Sequence, residues 1–313
     1  MKEEIDLVYL WVDGSDPVWQ KKRDTFIGKT AEDSAENCEG RYADNDELRY
    51  SLRSVERYAP WIRRIFIVTD AQTPSWLDTS NPRIRVVDHT EILPREALPT
   101  FNSVVIEHRL HLIPGLSEYF LYANDDMFFN REVSPGDFFT PDGRPIIRLN
   151  RRPFRRLSLL LKEKILGRKT STYNRTILKA ANLVKERYGK FIGGKTHHNI
   201  DAYRKSYNRE TYETFEAAIS PTLLHHERSA DDIQRNLYSY SDMVNKRGEA
   251  RYVGSKTSFK FHIDNPAHYE KLERLRPMLF CLNDSQYATD ADRRRVGEYL
   301  RRRFPEPSEF EVS

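Results

Sequence analysis

Cysteine and long apolar runs are scarce in this 313-residue chain. The two cysteines, Cys38 and Cys281, are far apart and lack metal-type spacing, which argues against a disulfide framework or a zinc site and favours a reducing compartment. No run approaches the roughly 18 apolar residues of a membrane span, and the N-terminus lacks a charged-then-apolar signal pattern. We therefore expect a cytoplasmic protein, and any membrane contact must be peripheral.

The chain has enough apolar residues, 38%, to build a real core, and its length suits one large α/β domain with an insertion or two small domains. We find no internal repeat. A helical pattern over 48–58 and other helical or loop stretches separate strand-like runs at 7–12, 64–69, 83–87 and 119–122. This alternation predicts an α/β fold with a mostly parallel sheet and crossover helices.

Positive charge is concentrated in residues 148–190, which carry 14 Lys or Arg and two Glu. This segment has a net charge of +12, and because the whole chain has +4, the remainder has −8. Apolar residues at helical spacings predict two amphipathic basic helices, joined by residues 167–173. These residues are Leu157, Leu160, Leu161 and Ile165, followed by Ile177, Ala181 and Val184.

The basic helices have two interpretations. In the first, they dock on the core and expose a solvated charged face. In the second, they form a functional surface for a polyanion or an anionic membrane. The sequence leaves both open. We accordingly divide the chain into an α/β part at 1–147, a basic helical insertion at 148–190, and a remainder of the same domain at 191–313.

Adjacent carboxylates follow an apolar run at 120–129, where Asn124 precedes Asp125 and Asp126. Two ionised side chains do not fit inside a buried strand, so they belong at its carboxyl end, where open α/β sheets bind ligands. Carboxylates there suit a hard divalent cation held against a diphosphate. Asn-Asp-Asp is also common turn chemistry, which is the structural alternative.

A second acidic strand end lies near the start of the chain. Residues 5–19 read as a strand that runs into a polar loop, where Gly14 lets the backbone approach a ligand and Asp13 and Asp16 flank it. Two acidic strand ends in one chain weaken the interpretation of Asn-Asp-Asp as an ordinary turn.

Blocks along most of the chain outside the basic segment resemble the conserved regions of Stealth proteins. That family comprises bacterial capsular polysaccharide phosphotransferases and the catalytic subunit of animal lysosomal-enzyme N-acetylglucosamine-1-phosphotransferase. The matching blocks are 5–19 for the first region, 46–55 with 59–69 and 98–126 for the second, 228–234 for the third, and 280–284 with 304–310 for the fourth.

The resemblance implies transfer of a sugar 1-phosphate from a UDP-sugar, commonly UDP-N-acetylglucosamine, to a hydroxyl of an acceptor sugar, with release of UMP. It also implies a Rossmann-like fold similar to the GT-A fold of metal-dependent nucleotide-sugar transferases, with Mg²⁺ or Mn²⁺ as cofactor. We expect a saccharide or anionic polysaccharide acceptor in capsule or cell-wall synthesis. Peripheral membrane contact would come from 148–190, and no nucleic-acid partner is expected.

Residue by residue, the resemblance suggests metal and diphosphate contact for Asp125 and Asp126, with Asp126 the stronger candidate for the chemistry. Asp13 and Gly14 match the loop expected to bind the nucleotide. Arg228 matches an arginine of the third region, and its planar guanidinium suits bidentate phosphate recognition; a surface salt bridge with Asp231 or Asp232 is the alternative. Asn124 and Asn283 complete the expected substrate contacts.

The family's histidine pattern is roughly His-x-Pro-His, and this chain has Thr196-His-His-Asn-Ile-Asp201. Without gaps His198 takes the first histidine, and a shift of one residue would select His197 instead. An imidazole has an unperturbed pKa of about 6.5, so it can accept a proton near neutrality. The sequence favours His198 as the base and leaves His197 open.

Three further cations are weaker candidates for substrate contact. Arg49 and Arg53 share a helical face and could reach the nucleotide or the sheet's acidic ends. Lys260 could supply charge to a phosphate. His225 and His226 are expected to be structural, because adjacent histidines point in different directions and no third ligand has suitable spacing.

Acidic strand ends alone do not distinguish attack on phosphorus from attack on the anomeric carbon. A metal-dependent glycosyltransferase that releases UDP is therefore an alternative function. A non-enzymatic polyanion binder that uses 148–190 is another, but it leaves Asp13, Asp125 and Asp126 without a role.

Overall fold

The structure is a computed structural model that describes residues 3–27, 44–150, 171–285 and 287–312. Its central sheet has the strand order β3-β2-β1-β4-β8, in which the first four strands are parallel and β8 is antiparallel to β4. The predicted α/β fold with a mostly parallel sheet is confirmed. The strands are β1 (Ile5–Leu10), β2 (Ile65–Thr69), β3 (Ile84–Asp88), β4 (Tyr119–Asn124) and β8 (Asp201–Arg204).

The central strands are buried on both faces, as expected where helices cover a parallel sheet. Alternate side chains of β1 enter different cores: Val8 packs with Phe66 and Phe120 on one face, and Leu7 packs on the other. On the second face lies α2 (Glu47–Tyr58), whose buried residues include Leu48, Leu52 and Val55. The predicted helix over 48–58 is therefore present.

Two smaller sheets complete the fold. One has the order β10-β11-β5, from β5 (Met127–Phe129), β10 (Ser258–His262) and β11 (Leu279–Asn283). The other has the order β7-β6-β9, from β6 (Ile146–Asn150), β7 (Lys195–Thr196) and β9 (Glu249–Val253). Residues beyond 191 thus complete sheets that residues before 147 begin. The division at 147 and 190 stays a prediction.

Part of the predicted basic insertion is a helix docked on the core. This helix, α4 (Thr172–Tyr188), buries Ile177, Ala181 and Val184 in one core cluster with Leu237 and Tyr240 of α6. The predicted first basic helix, with Leu157 to Ile165, lies outside the described residues. The other helices are α1 (Pro17–Ile27), α3 (Ser103–Glu107), α5 (Lys205–Leu223), α6 (Asn236–Val244), α7 (Pro266–Leu275) and α8 (Asp290–Arg303).

A membrane-spanning helix would have to be both long and strongly apolar. Among residues 3–27, 44–150, 171–285 and 287–312, none of the helices meets both conditions.

An ion-pair cluster ties the C-terminal segment to α2. Arg53 donates to both carboxylate oxygens of Glu311, from Nε at 2.7 Å and from Nη2 at 2.8 Å, and Arg49 Nε donates to Oε2 at 2.6 Å. The predicted helical face with Arg49 and Arg53 therefore exists. It is covered by the C-terminal segment rather than turned towards the acidic strand ends.

We predict that Glu311→Gln lowers the free energy of unfolding at neutral pH by about 2 kcal/mol, because two guanidinium groups lose their charged partner. Burial alone would raise the pKa of Glu311, but hydrogen bonds from Arg53, Ser308 and Arg49 outweigh it and lower the pKa from 4.5 to about 2. The stability that this carboxylate contributes is present above its unfolded pKa and is lost as the pH falls through its folded pKa.

Urea unfolding of both proteins from pH 7 to pH 2 checks this prediction. The difference in free energy should be full near pH 6 and shrink as the pH falls from about 4.5 to about 2. Glu309→Gln is the control, because Glu309 pairs with Arg83 at a more exposed position, where an ion pair contributes little. A difference independent of pH would contradict the account.

Candidate active site

A cavity of about 460 Å³ lies where strands of the three sheets end. Asn124, Asn150 and Asn283 are the last residues of β4, β6 and β11, and all three line the cavity. The cavity thus lies at the carboxyl ends of β4 and β11. For parallel α/β sheets, this is the edge that binds ligands.

Asp125 and Asp126 lie where the chain leaves the central sheet and enters the second sheet. They form the turn between β4 and β5, and β5 pairs with β11. Leu282 of β11 donates its backbone N–H to the carbonyl of Asp126 at 2.8 Å, and Asp126 N donates to Asp125 Oδ1 at 3.1 Å. The two aspartates are therefore held at the junction of two sheets. The bond from Asp126 N to Asp125 is an ordinary turn contact, whereas the bond from Leu282 ties the turn to β11.

Several carboxylates crowd this end of the cavity and raise each other's pKa. Desolvation raises the pKa of Asp125 well above its usual value, and the charges of Asp126, Glu47 and Asp44 raise it further. Burial raises the pKa of Glu47 to about 8 and that of Asp44 to about 6. Together these groups form an acidic cluster that favours a bound proton or a cation.

The chemistry of this cluster fits a hard divalent cation. Asp125, Asp126 and Glu47 line the cavity and offer carboxylate oxygens, which Mg²⁺ and Mn²⁺ prefer over other ligands. A cation there would also offset the repulsion that raises the pKa of Asp125.

Positive side chains also line the cavity. They include Arg228, Lys195 and Lys260. Arg228 Nη2 donates to Ser103 Oγ of α3 at 3.1 Å, and Lys195 Nζ lies 4.0 Å from the centre of the Tyr173 ring. The alternative ion pairs of Arg228 are absent from the described residues, where Asp231 pairs with Lys179 and Asp232 with His225.

The two adjacent histidines have different environments. His198 is half-buried, lines the cavity and has a ring nitrogen within 4.8 Å of an oxygen of Asp126. His197 has a side chain only 1% exposed, and its Nε2 lies 3.0 Å from Asp201 Oδ1. Burial lowers the pKa of His197. Geometry thus distinguishes the two: His198 is near the acidic pair, and His197 belongs to a buried network.

A buried charged network forms one wall of the cavity. Arg235 donates to Asp201 Oδ2, and its Nε lies 3.5 Å from Glu107 Oε1, which is also 2.8 Å from the hydroxyl of Tyr122. Glu107 is 8% exposed, and within the described part of the chain its Oε2 accepts no hydrogen bond. Buried carboxylate oxygens normally accept hydrogen bonds, and this one accepts none from the described residues. A hydroxyl or N–H of a ligand would supply the missing bond.

Asp13 lines a second depression of about 680 Å³, next to the cavity. Its carboxylate accepts from Ser15 N at 2.8 Å and from Ser15 Oγ at 2.6 Å, and Gly14 lies in the same loop. The depression also contains Asp44, whose chain neighbour Asn45 donates its N–H to Glu47 in the main cavity at 2.5 Å. The two spaces therefore adjoin at the start of α2.

The structure brings most of the predicted site residues into one cavity. Asp13 and Gly14 belong to the adjoining depression and loop, and Arg49 lies elsewhere, bonded to Glu311. His225 and His226 are held by Asp232 and by the carbonyl of Pro99, which agrees with structural roles. The predicted residues that line the cavity are Asn124, Asp125, Asp126, His198, Arg228, Lys260 and Asn283.

Sequence reasoning missed Glu47, Glu107, Lys195 and Arg235, which also line the cavity. Glu47 and Glu107 lie inside blocks that resemble the second Stealth region, and that position was the available signal. The argument against a zinc site rested on the spacing of the cysteines along the chain, but folding places Sγ of Cys281 within 4.8 Å of ligand atoms of Asp126 and His198. Cys38 lies outside the described residues.

Comparison with known proteins identifies the family. The models of Stealth conserved regions 1 and 2 match residues 3–31 and 41–147. Capsular polysaccharide phosphotransferase LcbA of Aeromonas hydrophila is 33% identical over 96% of this chain and 84% of its own length. The chain belongs to the Stealth family.

Other Stealth relatives are longer than this chain. Exopolysaccharide phosphotransferase SCO6023 of Streptomyces coelicolor is 37% identical over 98% of the chain but only 52% of its own length. The chain thus spans about half the length of this relative. Among solved structures, galactosyltransferase LgtC, in complex with donor and acceptor sugar analogues, aligns with a TM-score of 0.48 at 12% identity, over 97% of this chain and 96% of that one.

We predict that Asp125→Asn raises the melting temperature of this Stealth protein in metal-free buffer, because it removes a carboxylate that its neighbours repel. Mg²⁺ or Mn²⁺ should raise the melting temperature of the wild type, since an ion that binds only the folded state stabilises it. The same ions should have little effect on Asp125→Asn or Asp126→Asn.

Scanning calorimetry with and without each ion measures these shifts. Asp142→Asn is the matched control, because its carboxylate is exposed and pairs with Arg144 outside the cavity. It should keep the full response to the ion. An equal response in Asp125→Asn and the wild type would show that the ion binds elsewhere.

Proposed function

We propose that this chain transfers a sugar 1-phosphate from a UDP-sugar to a hydroxyl of an acceptor saccharide and releases UMP. The donor sugar is N-acetylglucosamine or a similar hexose, and the product is a phosphodiester in a capsule or cell-wall polysaccharide. Relatives named exopolysaccharide or capsular polysaccharide phosphotransferases support the reaction class.

One observation carries the proposal: a single cavity contains an acidic cluster, positively charged side chains and a half-buried histidine. The acidic groups are Asp125 and Asp126, the cation is Arg228 and the histidine is His198. These three parts of the site come from distant segments of the sequence. Phosphoryl transfer needs positioning and charge stabilisation more than covalent chemistry, and this set of side chains supplies both.

In the proposed step, His198 accepts the proton of the acceptor hydroxyl as that oxygen attacks the β-phosphorus of the donor. A new P–O bond forms to the acceptor, the bond from phosphorus to the oxygen bridging the two phosphates breaks, and UMP leaves. The proton passes from the imidazolium to solvent. Arg228 and Lys260 stabilise the charge on the transferring phosphoryl oxygens.

The acidic end of the cavity would hold a divalent ion, with Asp125, Asp126 and Glu47 as its protein ligands. Such an ion supplies charge neutralisation between the phosphates of a bound donor. Asn124 and Asn283 would orient donor oxygens at the same strand ends. We place the nucleoside in the adjoining depression with Asp13 and Gly14.

The acceptor would enter beside α4, because Thr172, Tyr173 and Thr176 of this helix line the cavity. The helix carries part of the basic segment, so an anionic saccharide would be attracted to this side of the cavity. Cytoplasmic location and peripheral membrane contact through 148–190 belong to the same proposal.

The released nucleotide tests the reaction. Purified protein incubated with UDP-N-acetylglucosamine, Mg²⁺ and a capsule-derived saccharide should release UMP, identified by chromatography. Asp126→Asn should reduce the rate by at least a hundredfold, because it removes charge from the cation site. Release of UDP instead would make this chain a glycosyltransferase. No release in the presence of screened donors and acceptors would favour the polyanion-binding alternative.

We predict that replacing His198 lowers turnover, whereas replacing His197 lowers the stability of the fold. His198→Ala should lower turnover by about 10²–10⁴, the contribution of a general base, with little change in the melting temperature. His197→Ala should lower the free energy of unfolding by about 1–3 kcal/mol, because Asp201 loses a buried partner. Turnover assays and urea unfolding of both variants separate the effects. Normal turnover in folded His198→Ala would remove this residue from the mechanism.

A further inference from the structure

A buried thiol, that of Cys281, lies next to the acidic pair Asp125 and Asp126. Cys281 lies in the middle of β11, fully buried, opposite Met127 of β5 and beside Lys260 of β10. Its Sγ donates to Asp126 Oδ2 at 3.3 Å. One ligand atom from each of Asp126, His198 and Cys281 lies within 4.8 Å of the others.

The spacing of these atoms suits a tetrahedral ion. Zinc lies about 2.0–2.2 Å from nitrogen and oxygen ligands and about 2.3 Å from sulfur, which separates neighbouring ligand atoms by about 3.5 Å. The distance of 3.3 Å between Asp126 Oδ2 and Cys281 Sγ is close to this separation. Because the ligand atoms lie within 4.8 Å of one another, the imidazole nitrogen has to approach the other two atoms by about 1.3 Å at most, and His198 is half-buried rather than packed in the core.

The three side chains differ in burial: Cys281 is fully buried, whereas Asp126 and His198 are half-buried. Cys281 is fixed in β11, where its carbonyl accepts from the side-chain amide of Asn283, and the carbonyl of Asp126 accepts from the N–H of Leu282. Asp126 and His198 line the cavity, while the sulfur lies behind them. An ion between Sγ and Oδ2 would therefore lie at the cavity floor, with its fourth ligand position towards the cavity.

We propose that Asp126, His198 and Cys281 form a binding site for a thiophilic divalent ion such as Zn²⁺, and that this ion competes with the hard ion assigned to Asp125 and Asp126. The ion displaces the proton of the Cys281 thiol, which leaves to solvent, and bonds to sulfur, to the carboxylate and to the imidazole. Sulfur and nitrogen ligands favour zinc over magnesium. The two ions therefore share Asp126 and differ in the rest of their ligands.

The consequence for catalysis rests on the proposed function. A bound thiophilic ion occupies the imidazole lone pair that would accept the proton of the acceptor, and it withdraws Asp126 from the magnesium site. Zn²⁺ should therefore inhibit Mg²⁺-dependent turnover at concentrations far below those of Mg²⁺. The binding itself does not depend on the reaction.

Cobalt titration of the purified full chain tests the binding without any substrate. Co²⁺ replaces Zn²⁺ in sites with sulfur and nitrogen ligands, and a cobalt–thiolate bond gives a charge-transfer absorption in the near ultraviolet. The wild type should show this band, with one Co²⁺ bound, and Zn²⁺ should abolish it. Cys281→Ser should lack the band, and His198→Ala should bind Co²⁺ at least tenfold more weakly.

The chain offers a matched control, because Cys38 is its other cysteine. Cys38→Ser should keep the band at full intensity. A wild type without the band, or a band that survives in Cys281→Ser and disappears in Cys38→Ser, would overturn the proposal. Circular dichroism of each variant shows whether it is folded.

Inhibition by Zn²⁺ is the second measurement, expressed relative to each protein's own uninhibited rate. Half-maximal inhibition of Cys281→Ser should need at least tenfold more Zn²⁺ than that of the wild type. An unchanged value would overturn the competitive role. If the chain releases no nucleotide at all, the proposed function fails, and the cobalt titration still decides the binding site independently.

Discussion

Electrostatic repulsion among buried carboxylates is the constraint around which the site is built. At an effective dielectric constant of about 20, two like charges about 4 Å apart repel by about 4 kcal/mol, several times the net contribution of a hydrogen bond. Asp125, Asp126 and Glu47 nonetheless line one cavity, with Asp44 in the adjoining depression, and burial together with these neighbouring charges raises the pKa of Asp125. A bound proton or a cation would relieve this repulsion, and the proposed divalent ion is assigned to this cluster for that reason.

The fold keeps these groups together by ending strands of different sheets at the same place. The chain crosses from the central sheet to the second sheet at Asp125 and Asp126, so neither residue can move without disturbing β4 or β5. Elsewhere in the cavity lining, Arg235 lies between Glu107 and Asp201 and offsets their charge. The cavity therefore presents acidic, basic and hydrogen-bond-accepting surfaces to a single ligand.

Local sequence patterns predicted the parts of the fold that short-range chemistry determines. The runs that became β1, β2, β3 and β4 were found because they are rich in the apolar and β-branched residues that favour strands. The acidic pair was found for the same reason, since charge marks the end of such a stretch. Candidate site residues in separate blocks, such as Arg228 and Asn283, were identified by family resemblance. A local sequence pattern does not indicate which distant segments lie together in the fold.

Features that depend on three-dimensional packing were not predictable. Arg49 has the helical spacing of a ligand-facing residue, but the C-terminal segment covers its face and places Glu311 beside it. The sequence favours His198 over His197 only because its alignment needs no gap. In the structure, the contact of His197 with Asp201 distinguishes the two side chains. The environment of Cys281 arises because β11 pairs with β5, which starts immediately after Asp126.

The central claim, attack on phosphorus in this cavity, is tested most directly by the fate of the β-phosphate of the donor. We would supply UDP-N-acetylglucosamine labelled with ³²P at the β-phosphate, together with Mg²⁺ and a saccharide acceptor, and separate nucleotides from saccharides. The account predicts that the label moves into the saccharide product, with unlabelled UMP released, and that neither occurs with Asp126→Asn. Label that remains in the released nucleotide as UDP would mean attack on the anomeric carbon and would contradict the account.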